Sequence, residues 1–223
     1  MRIGLLGGTF NPIHFGHIYP TSEAAAKLKL DKVLFIPAYL PPHKSKEKIV
    51  SARRRIKMIQ FAIEKYPNFE LSLKEINRQG VSYSVDTVTN FAEKKCGDNF
   101  FFIMGVDAFL EIDTWKNVDR LMKSCNFAVV SRGEFEYSGL ITVIKNLSEK
   151  FKGLHFHHRE IEPESGLKCI KVGSTHRYII PVETKPVGIS STAIREKIKS
   201  GQSIKGLAPE KVEIYIEKNG FYR

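Results

Sequence analysis

Short apolar runs alternate with helical patterns along this chain. Four of the runs are nearly continuous in apolar side chains, which is typical of strands buried on both faces, and one, at 69–73, alternates. The predicted strands are 3–6, 32–36, 69–73, 100–104 and 127–130.

Helical periodicity fills most of the intervals between the strands. In 51–65, for example, apolar residues recur at spacings of four, three and four, which puts them on one face of a helix. The predicted helices are 16–28, 51–65, 84–95, 113–123, 192–199 and 209–218. Gly201 and Gly220 come just after the last two, where a glycine commonly caps a helix.

Repeated strand–helix units with apolar strands predict a parallel sheet that is covered by helices on both faces. The expected fold is α/β: a Rossmann-like, doubly wound parallel sheet in three α/β/α layers, with a C-terminal helical portion. We expect residues 1–223 to form a single domain. Within it, 134–188 is expected to be an irregular elaboration, and 189–223 to carry the C-terminal motif and helices.

Composition and charge narrow the function classes only in part. The chain carries 35 basic against 24 acidic residues, and its net charge of +11 favours anionic partners. Nucleic acid, an acidic surface and phosphorylated small molecules all satisfy that charge. No apolar stretch approaches the roughly 18–20 residues of a membrane span, and the N-terminus lacks the pattern of a signal peptide.

The cysteines Cys96, Cys125 and Cys169 are widely spaced and form no CxxC pair. They indicate reduced thiols rather than a disulfide framework or a zinc site. We therefore expect a cytoplasmic protein without a membrane partner.

The first strand runs into GGTFNPIHFGH, residues 7–17. Gly7 and Gly8 let backbone N–H groups approach a phosphate, and the N-terminus of the following helix favours an anion. His14 and His17, three residues apart, point from one side of a helical turn, and Gly16 leaves room for a ligand. A single histidine is usually an ordinary side chain, but this pair in this setting predicts an anion site. Neither a GxGxxG nor a GxxxxGKS/T motif is present.

A second motif, ISSTAIR, occupies residues 189–195. Ser190 or Ser191 suits the N-cap of a helix, so capping alone is one explanation. The hydroxyl groups, the helix N–H groups and Arg195 together also make a cradle for a polyphosphate, which is our interpretation.

These two motifs resemble those of the nucleotidyltransferase superfamily whose His-x-Gly-His motif is similar to that of class I aminoacyl-tRNA synthetases. More narrowly, the chain resembles the bacterial nicotinate-nucleotide adenylyltransferase family. The narrower resemblance depends on PPHK (41–44), SYSVDT (82–87), GVDAF (105–109) with a tryptophan at 115, VVSR (129–132) and LAPEKVEIYIEKNGFY (207–222).

The resemblance implies that ATP and nicotinate mononucleotide react to nicotinate adenine dinucleotide and pyrophosphate, with Mg²⁺ held mainly by the substrate phosphates rather than by residues of the chain. A phosphate monoester has a second pKa of about 6, so at neutral pH it attacks without a general base. Direct in-line transfer without a covalent intermediate is therefore expected. The implied catalytic residues are His14, His17, Lys44 and Arg195.

The resemblance also implies the binding residues. Those for ATP are Gly7, Gly8, Thr9, Phe10, Gly105, Asp107, Arg132, Ile189, Ser190, Ser191 and Thr192. Those for nicotinate mononucleotide are Tyr83, Thr87, Trp115 and Lys44, with Trp115 stacked on the pyridine ring. Outside the resemblance, each has an ordinary explanation: Trp115 as core, Thr87 and Asp107 in first helical turns, and the basic residues as solvated side chains.

The chain departs from the family pattern in three places. Asn11 stands where the family often has Asp, and Gly133 follows Arg132 without the usual proline. The segment 134–188 is longer than usual and contains His155, His157 and His158, for which a metal site and a surface hairpin are both alternatives, with the hairpin favoured.

Other functions stay open beside the leading one. Nicotinamide mononucleotide or pantetheine phosphate as acceptor, or cytidylyl transfer, would share both terminal motifs, although SYSVDT and the tryptophan argue against the last two. An RNA-binding protein is the alternative from a different class, but no tRNA-binding appendage is recognisable. The oligomeric state, including a homo-oligomer, is not determined.

Overall fold

The computed structural model describes residues 1–42, 49–94, 97–132 and 137–223. The strands are β1 (Arg2–Gly8), β2 (Lys32–Pro37), β3 (Phe69–Leu71), β4 (Asn99–Gly105), β5 (Asn126–Arg132), β6 (Phe156–Ile161), β7 (Lys168–Val172) and β8 (Tyr178–Thr184). The helices are α1 (Phe15–Lys27), α2 (Ala52–Ile63), α3 (Lys74–Arg78), α4 (Ser84–Lys94), α5 (Val106–Leu110), α6 (Val118–Ser124), α7 (Tyr137–Lys150), α8 (Ser191–Lys199) and α9 (Glu210–Lys218). A short 3-10 helix spans Ile112–Thr114.

The strands form one sheet in the order β3-β2-β1-β4-β5-β8-β7-β6. From β3 to β8 in this order the strands are parallel, and β7 is antiparallel to both of its neighbours. Leu5 of β1 is paired with Leu34 of β2 on one side and with Phe102 of β4 on the other. The order of the strands therefore reverses at β1, and the carboxyl ends of β1 and β4 bound the crevice where open sheets bind ligands.

Two hydrophobic cores lie on opposite faces of the sheet. Neighbouring residues of β1 point to opposite sides, so Leu6 belongs to the core beneath α1, α2, α8 and α9, whereas Leu5 belongs to the core beneath α4, α5, α6 and α7. The predicted Rossmann-like α/β fold with helices on both faces is confirmed, and so is the C-terminal helical portion.

The predicted strands all occur, with ends that differ by at most two residues from the prediction. The helix expected at 113–123 is instead divided, because Asn117 adopts a left-handed φ of 48° and α6 begins only after it. Gly201 and Gly220 have φ values of 68° and 61°, as residues just beyond helix ends commonly do.

The expectation of an irregular segment over 134–188 is wrong. The segment holds α7 and three strands, which extend the sheet at one edge. Pro181 within β8 disguises the strand pattern, since proline lacks the N–H that a central strand donates. It is tolerated because β7 pairs with β8 only at Tyr178 and Ile179, so Pro181 lies beyond that ladder.

A buried ion pair fastens this extension to the first strand. The guanidinium of Arg2 donates to both carboxylate oxygens of Glu162, at 3.0 and 3.1 Å. The backbone N–H and the hydroxyl of Ser165 donate to Glu162 as well. The turn after β6 is thereby held against β1, 160 residues earlier in the chain.

No helix among the described residues is long and apolar enough to cross a membrane. Cys125 and Cys169 are buried, unbridged thiols, and burial raises the pKa of each to about 12. Cys96 lies outside the described residues.

Candidate active site

A cleft of about 660 Å³ opens at the carboxyl ends of β1 and β4. Its walls come from the turn after β1, the segment after β2, the start of α4 and the residues after β4. Among the residues that line it are Gly7, Gly8, Thr9, Gly16, His17, Pro41, Glu75, Ser82, Tyr83, Gly105, Glu111, Trp115 and Lys116. The volume is in the range of small-molecule sites.

The two histidines form the entry to α1. His14 is the N-cap residue and is 2% exposed, whereas His17 is half-buried and lines the cleft. The backbone N–H of His14 donates to Nδ1 of His17 at 3.3 Å, and the ring centroids lie 3.8 Å apart. Because Nδ1 accepts, neutral His17 carries its proton on Nε2 and can donate it to an anionic ligand.

Phe10 packs against this turn. It adopts a positive φ of 49°, and its buried ring packs edge-on against His17 with centroids 5.2 Å apart. A Cβ at Gly8 would lie 3.1 Å from the same ring, so a larger residue there would press on Phe10. The side chain of Phe10 therefore belongs to the core, and Phe10 does not line the cleft.

Gly16 brings the first and last motifs together. A Cβ at this position would lie 2.6 Å from the carbonyl oxygen of Ile189 and 2.9 Å from the ring of His14. Only glycine permits this approach between α1 and the segment before α8.

The start of α8 is hydrogen-bonded to the turn that precedes α1. The Ser190 side chain accepts from the N–H of Ala193 at 3.1 Å, so the capping explanation holds for that serine. The Ser191 hydroxyl instead donates to the carbonyl of Pro12 at 2.9 Å. Arg195 donates to the carbonyl of Asn11 at 2.9 Å and, through its other terminal nitrogen, to the Thr192 hydroxyl at 3.2 Å.

Two further residues that the sequence analysis missed hold the same turn. The Tyr222 hydroxyl donates to Oδ1 of Asn11 at 2.9 Å. Arg55, 1% exposed, donates to the carbonyls of Thr9 and Val50 at 2.9 and 3.1 Å. Burial lowers the pKa of Arg55 and raises that of Tyr222. Tyr222 ends the C-terminal motif, but Arg55 gave no signal, since it lies in the run of arginines at 53–55.

Two aromatic side chains also line the cleft. Tyr83 and Trp115 both line it and are half-buried. The Lys116 ammonium lies 4.2 Å from the centroid of the Tyr83 ring, and Trp115 packs edge-on against Phe102 at 6.1 Å. A flat aromatic ligand would find stacking surfaces here.

Thr87 is buried next to these residues and does not itself line the cleft. It is 2% exposed, and its hydroxyl donates to a carboxylate oxygen of Glu75 at 2.6 Å. Glu75 does line the cleft, and no motif pointed to it. Burial raises the pKa of Glu75, against the opposing effect of hydrogen bonds from Thr87 and Ser82.

The structure brings only part of the predicted site residues into the cleft itself. Those that line it are Gly7, Gly8, Thr9, His17, Tyr83, Gly105 and Trp115. Within the described part of the chain, those that do not are Phe10, His14, Thr87, Asp107, Ile189, Ser190, Ser191, Thr192 and Arg195. The backbone of Arg132 ends β5, but its side chain, like the whole of Lys44, lies outside the described residues.

The described residues hold no group of three or more His, Cys, Asp or Glu side chains arranged for a metal ion. His157 and His158 are exposed on β6, which forms an antiparallel hairpin with β7. Their setting is that of a surface hairpin.

Comparisons with known proteins identify the family of this chain. The family model for cytidylyltransferase-like proteins matches residues 5–197. A protein of Desulfatibacillum aliphaticivorans is 39% identical over 223 residues, covering 100% of both chains, and one of Clostridium tetani is 37% identical over 219 residues, covering 98% of each. Both are described as "Probable nicotinate-nucleotide adenylyltransferase".

A solved structure shares the fold. It is the Plasmodium falciparum nicotinic acid mononucleotide adenylyltransferase complexed with NaAD, with a TM-score of 0.69 and 18% identity over 99% of this chain and 97% of that one. The family matches span nearly the whole chain and include both terminal motifs, which confirms the resemblance found in the sequence. The chain belongs to the nicotinate-nucleotide adenylyltransferase family of the cytidylyltransferase-like proteins.

Proposed function

We propose that this chain transfers the adenylyl group of ATP to nicotinate mononucleotide, giving nicotinate adenine dinucleotide and pyrophosphate. The observation that carries the proposal is the lining of the cleft, which combines the glycine turn (Gly7, Gly8 and Thr9) and His17 with the aromatic side chains of Tyr83 and Trp115. The first group suits phosphate and the second suits a flat ring, and a pyridine nucleotide and ATP together require both.

The chemistry needs alignment and charge neutralisation rather than a base. A phosphate oxygen of the mononucleotide forms a bond to the α-phosphorus of ATP, and the bond from that phosphorus to the bridging oxygen breaks as pyrophosphate leaves. The attacking phosphate is already largely deprotonated at neutral pH, since its second pKa is about 6. No covalent intermediate with the protein is needed.

The transition state gains negative charge on the phosphate oxygens, and the residues at the glycine turn can stabilise this charge. Nε2 of His17 is a hydrogen-bond donor because Nδ1 accepts from His14. The N-terminus of α1 adds the positive end of a helix dipole. We assign His14 the role of fixing the His17 ring, and Arg195 that of holding the turn through the carbonyl of Asn11.

We also propose that Lys44 and Arg132 are cations near the phosphates. The basis for this is that they belong to the sequence motifs PPHK and VVSR. Mg²⁺ is proposed to enter with ATP, bound by the triphosphate oxygens, where it neutralises charge on the leaving group. The donors around the glycine turn are backbone N–H groups and imidazoles, which suit phosphate oxygens better than a magnesium ion.

The pyridine ring is proposed to lie against Trp115 and Tyr83, with its carboxylate towards the N-terminal turn of α4. That turn contains Thr87, but its hydroxyl donates to Glu75 and its backbone N–H donates to the carbonyl of Tyr83, so backbone N–H groups earlier in the turn would serve. Cys125 and Cys169 are unbridged thiols, which are typical of a reducing compartment, so we propose a cytoplasmic location.

The test is release of pyrophosphate from ATP with Mg²⁺ and with nicotinate mononucleotide or nicotinamide mononucleotide in separate reactions. Turnover with the nicotinate compound is expected, and omission of either substrate should abolish it. Absence of turnover with both mononucleotides would contradict the proposal. Strong, salt-sensitive RNA binding in that case would favour the nucleic-acid alternative.

A further inference from the structure

A buried carboxylate stands in the wall of the cleft and belongs to none of the sequence motifs. Glu75 of α3 is 5% exposed and lines the cleft. Burying a carboxylate is costly unless hydrogen bonds compensate it. Two hydroxyl groups do so here: that of Thr87 donates at 2.6 Å, and Ser82 contributes a second side-chain hydrogen bond.

Ser82 extends this cluster to the segment after β2. Its hydroxyl oxygen accepts from the backbone N–H of Tyr39 at 2.9 Å, which leaves its proton for Glu75. The backbone N–H of Ser82 donates to the carbonyl of Leu40 at 2.8 Å, and Leu40 forms a bridge with Val81. Glu75 therefore links α3 to Ser82 and to Thr87 of α4, and Ser82 in turn contacts the segment after β2.

Both of these segments line the cleft. Tyr83 lies between the two residues whose hydroxyls Glu75 holds, and its ring is contacted by the ammonium of Lys116. The charged groups around the carboxylate oppose each other, since Arg78 favours its ionised form and Asp86 disfavours it.

We propose that Glu75 is a positioning residue for the acceptor nucleotide: its carboxylate fixes Ser82 and Thr87, and through them the wall around Tyr83 that receives the pyridine ring. The inference rests on the proposed function. Glu75 acts on the acceptor alone, because none of its partners belongs to the glycine turn or to α8.

The experiment compares Glu75→Gln with the wild type. Glutamine has the same size but is uncharged and has one accepting oxygen in place of two, so the hydrogen bonds from the two hydroxyls lose their charged acceptor. Glu70→Gln, the same change at an exposed position on β3, is the matched control. Affinity for nicotinate mononucleotide is measured by quenching of Trp115, the single tryptophan of the chain, and KM by pyrophosphate release.

Loss of a hydrogen bond to a charged group corresponds to about a tenfold weakening. Glu75→Gln is expected to raise Kd and KM for nicotinate mononucleotide about tenfold, while KM for ATP and kcat change less than about twofold. Glu70→Gln should match the wild type. Thr87→Val should act in the same direction as Glu75→Gln, and the double variant should be less impaired than the product of the two effects, since they share one interaction.

An equal rise in both KM values, or unaltered affinity for the mononucleotide in Glu75→Gln, overturns the role of Glu75. If Glu75→Gln fails to fold, Thr87→Val decides by the same criterion. A wild-type protein that neither binds nor turns over either mononucleotide overturns the proposed function, and this role with it. Wild-type turnover with unaltered KM in the variants overturns only the role of Glu75.

Discussion

Gly16 is the position where one added methyl group tests the site most directly. A Cβ there would lie 2.6 Å from the Ile189 carbonyl oxygen, about 0.8 Å short of the 3.4 Å at which ordinary contact begins. It would also lie 2.9 Å from two atoms of the His14 ring. The first obstacle is backbone, which cannot rotate away, so Gly16→Ala must push α1 and the start of α8 apart.

Two effects of different size follow from that displacement. Overpacking of this kind costs about 1–3 kcal/mol of unfolding free energy. A shift of nearly 1 Å at a site that works by alignment can cost about a hundredfold in rate. Gly16→Ala is therefore expected to stay folded while kcat for pyrophosphate release falls about a hundredfold.

The assay pairs urea unfolding with steady-state pyrophosphate release. Gly153→Ala is the control, because a Cβ there meets only the end of the flexible Lys123 side chain, at 3.4 Å. That variant should match the wild type in both measurements. A Gly16→Ala protein with wild-type kcat would refute the claim that the two motifs must meet at this distance.

Three further predictions test other contacts. His17→Ala removes the proposed transition-state donor and should lower kcat about 10²–10³-fold without loss of folding; an unchanged rate in the assay of pyrophosphate release would exclude that role. Tyr222→Phe deletes the donor to Asn11 and should cost about 1 kcal/mol of stability and lower kcat several-fold, with calorimetry and kinetics as the readouts. Burial alone would raise the pKa of Glu162, but hydrogen bonds, those from Arg2 foremost, outweigh it and hold the pKa below its ordinary value of 4.5. The ion pair therefore stabilises fully above that value and loses its effect as pH falls further. Arg2 keeps the Glu164 carboxylate at 2.9 Å as a second partner, so Glu162→Gln should lose about 1.5–3 kcal/mol at neutral pH in urea unfolding, and the difference from the wild type should narrow as pH falls below 4.5.

The strands and most of the helices that were predicted could be identified because their signals are local patterns of apolar and polar residues. The run FFFIM at 100–104 is apolar throughout because β4 is buried on both faces, so no neighbour is needed to identify it. The extension over 134–188 escaped prediction for a physical reason. In β8, Pro181 breaks the local rule, and only the limited pairing of β7 makes the residue harmless.

The same distinction separates the parts of the candidate site. His17, Gly7 and Gly8 belong to one short motif, and its residue types alone predict an anion site. Arg55 and Glu75 each look like an ordinary charged residue on a helix. Their importance comes from burial and from partners such as Thr9 and Thr87, which are 46 and 12 positions away.

The sequence by itself determined the fold class, the positions of five strands along the chain and the two nucleotide motifs. It could do so because apolar periodicity and motif spacing are properties of neighbouring residues. Tertiary structure alone decided which groups meet: Gly16 against Ile189, Tyr222 against Asn11, and Glu75 against Ser82 and Thr87. The reason is that such contacts depend on chain segments brought together by the sheet, and no local pattern encodes a distance between residues that are far apart in sequence.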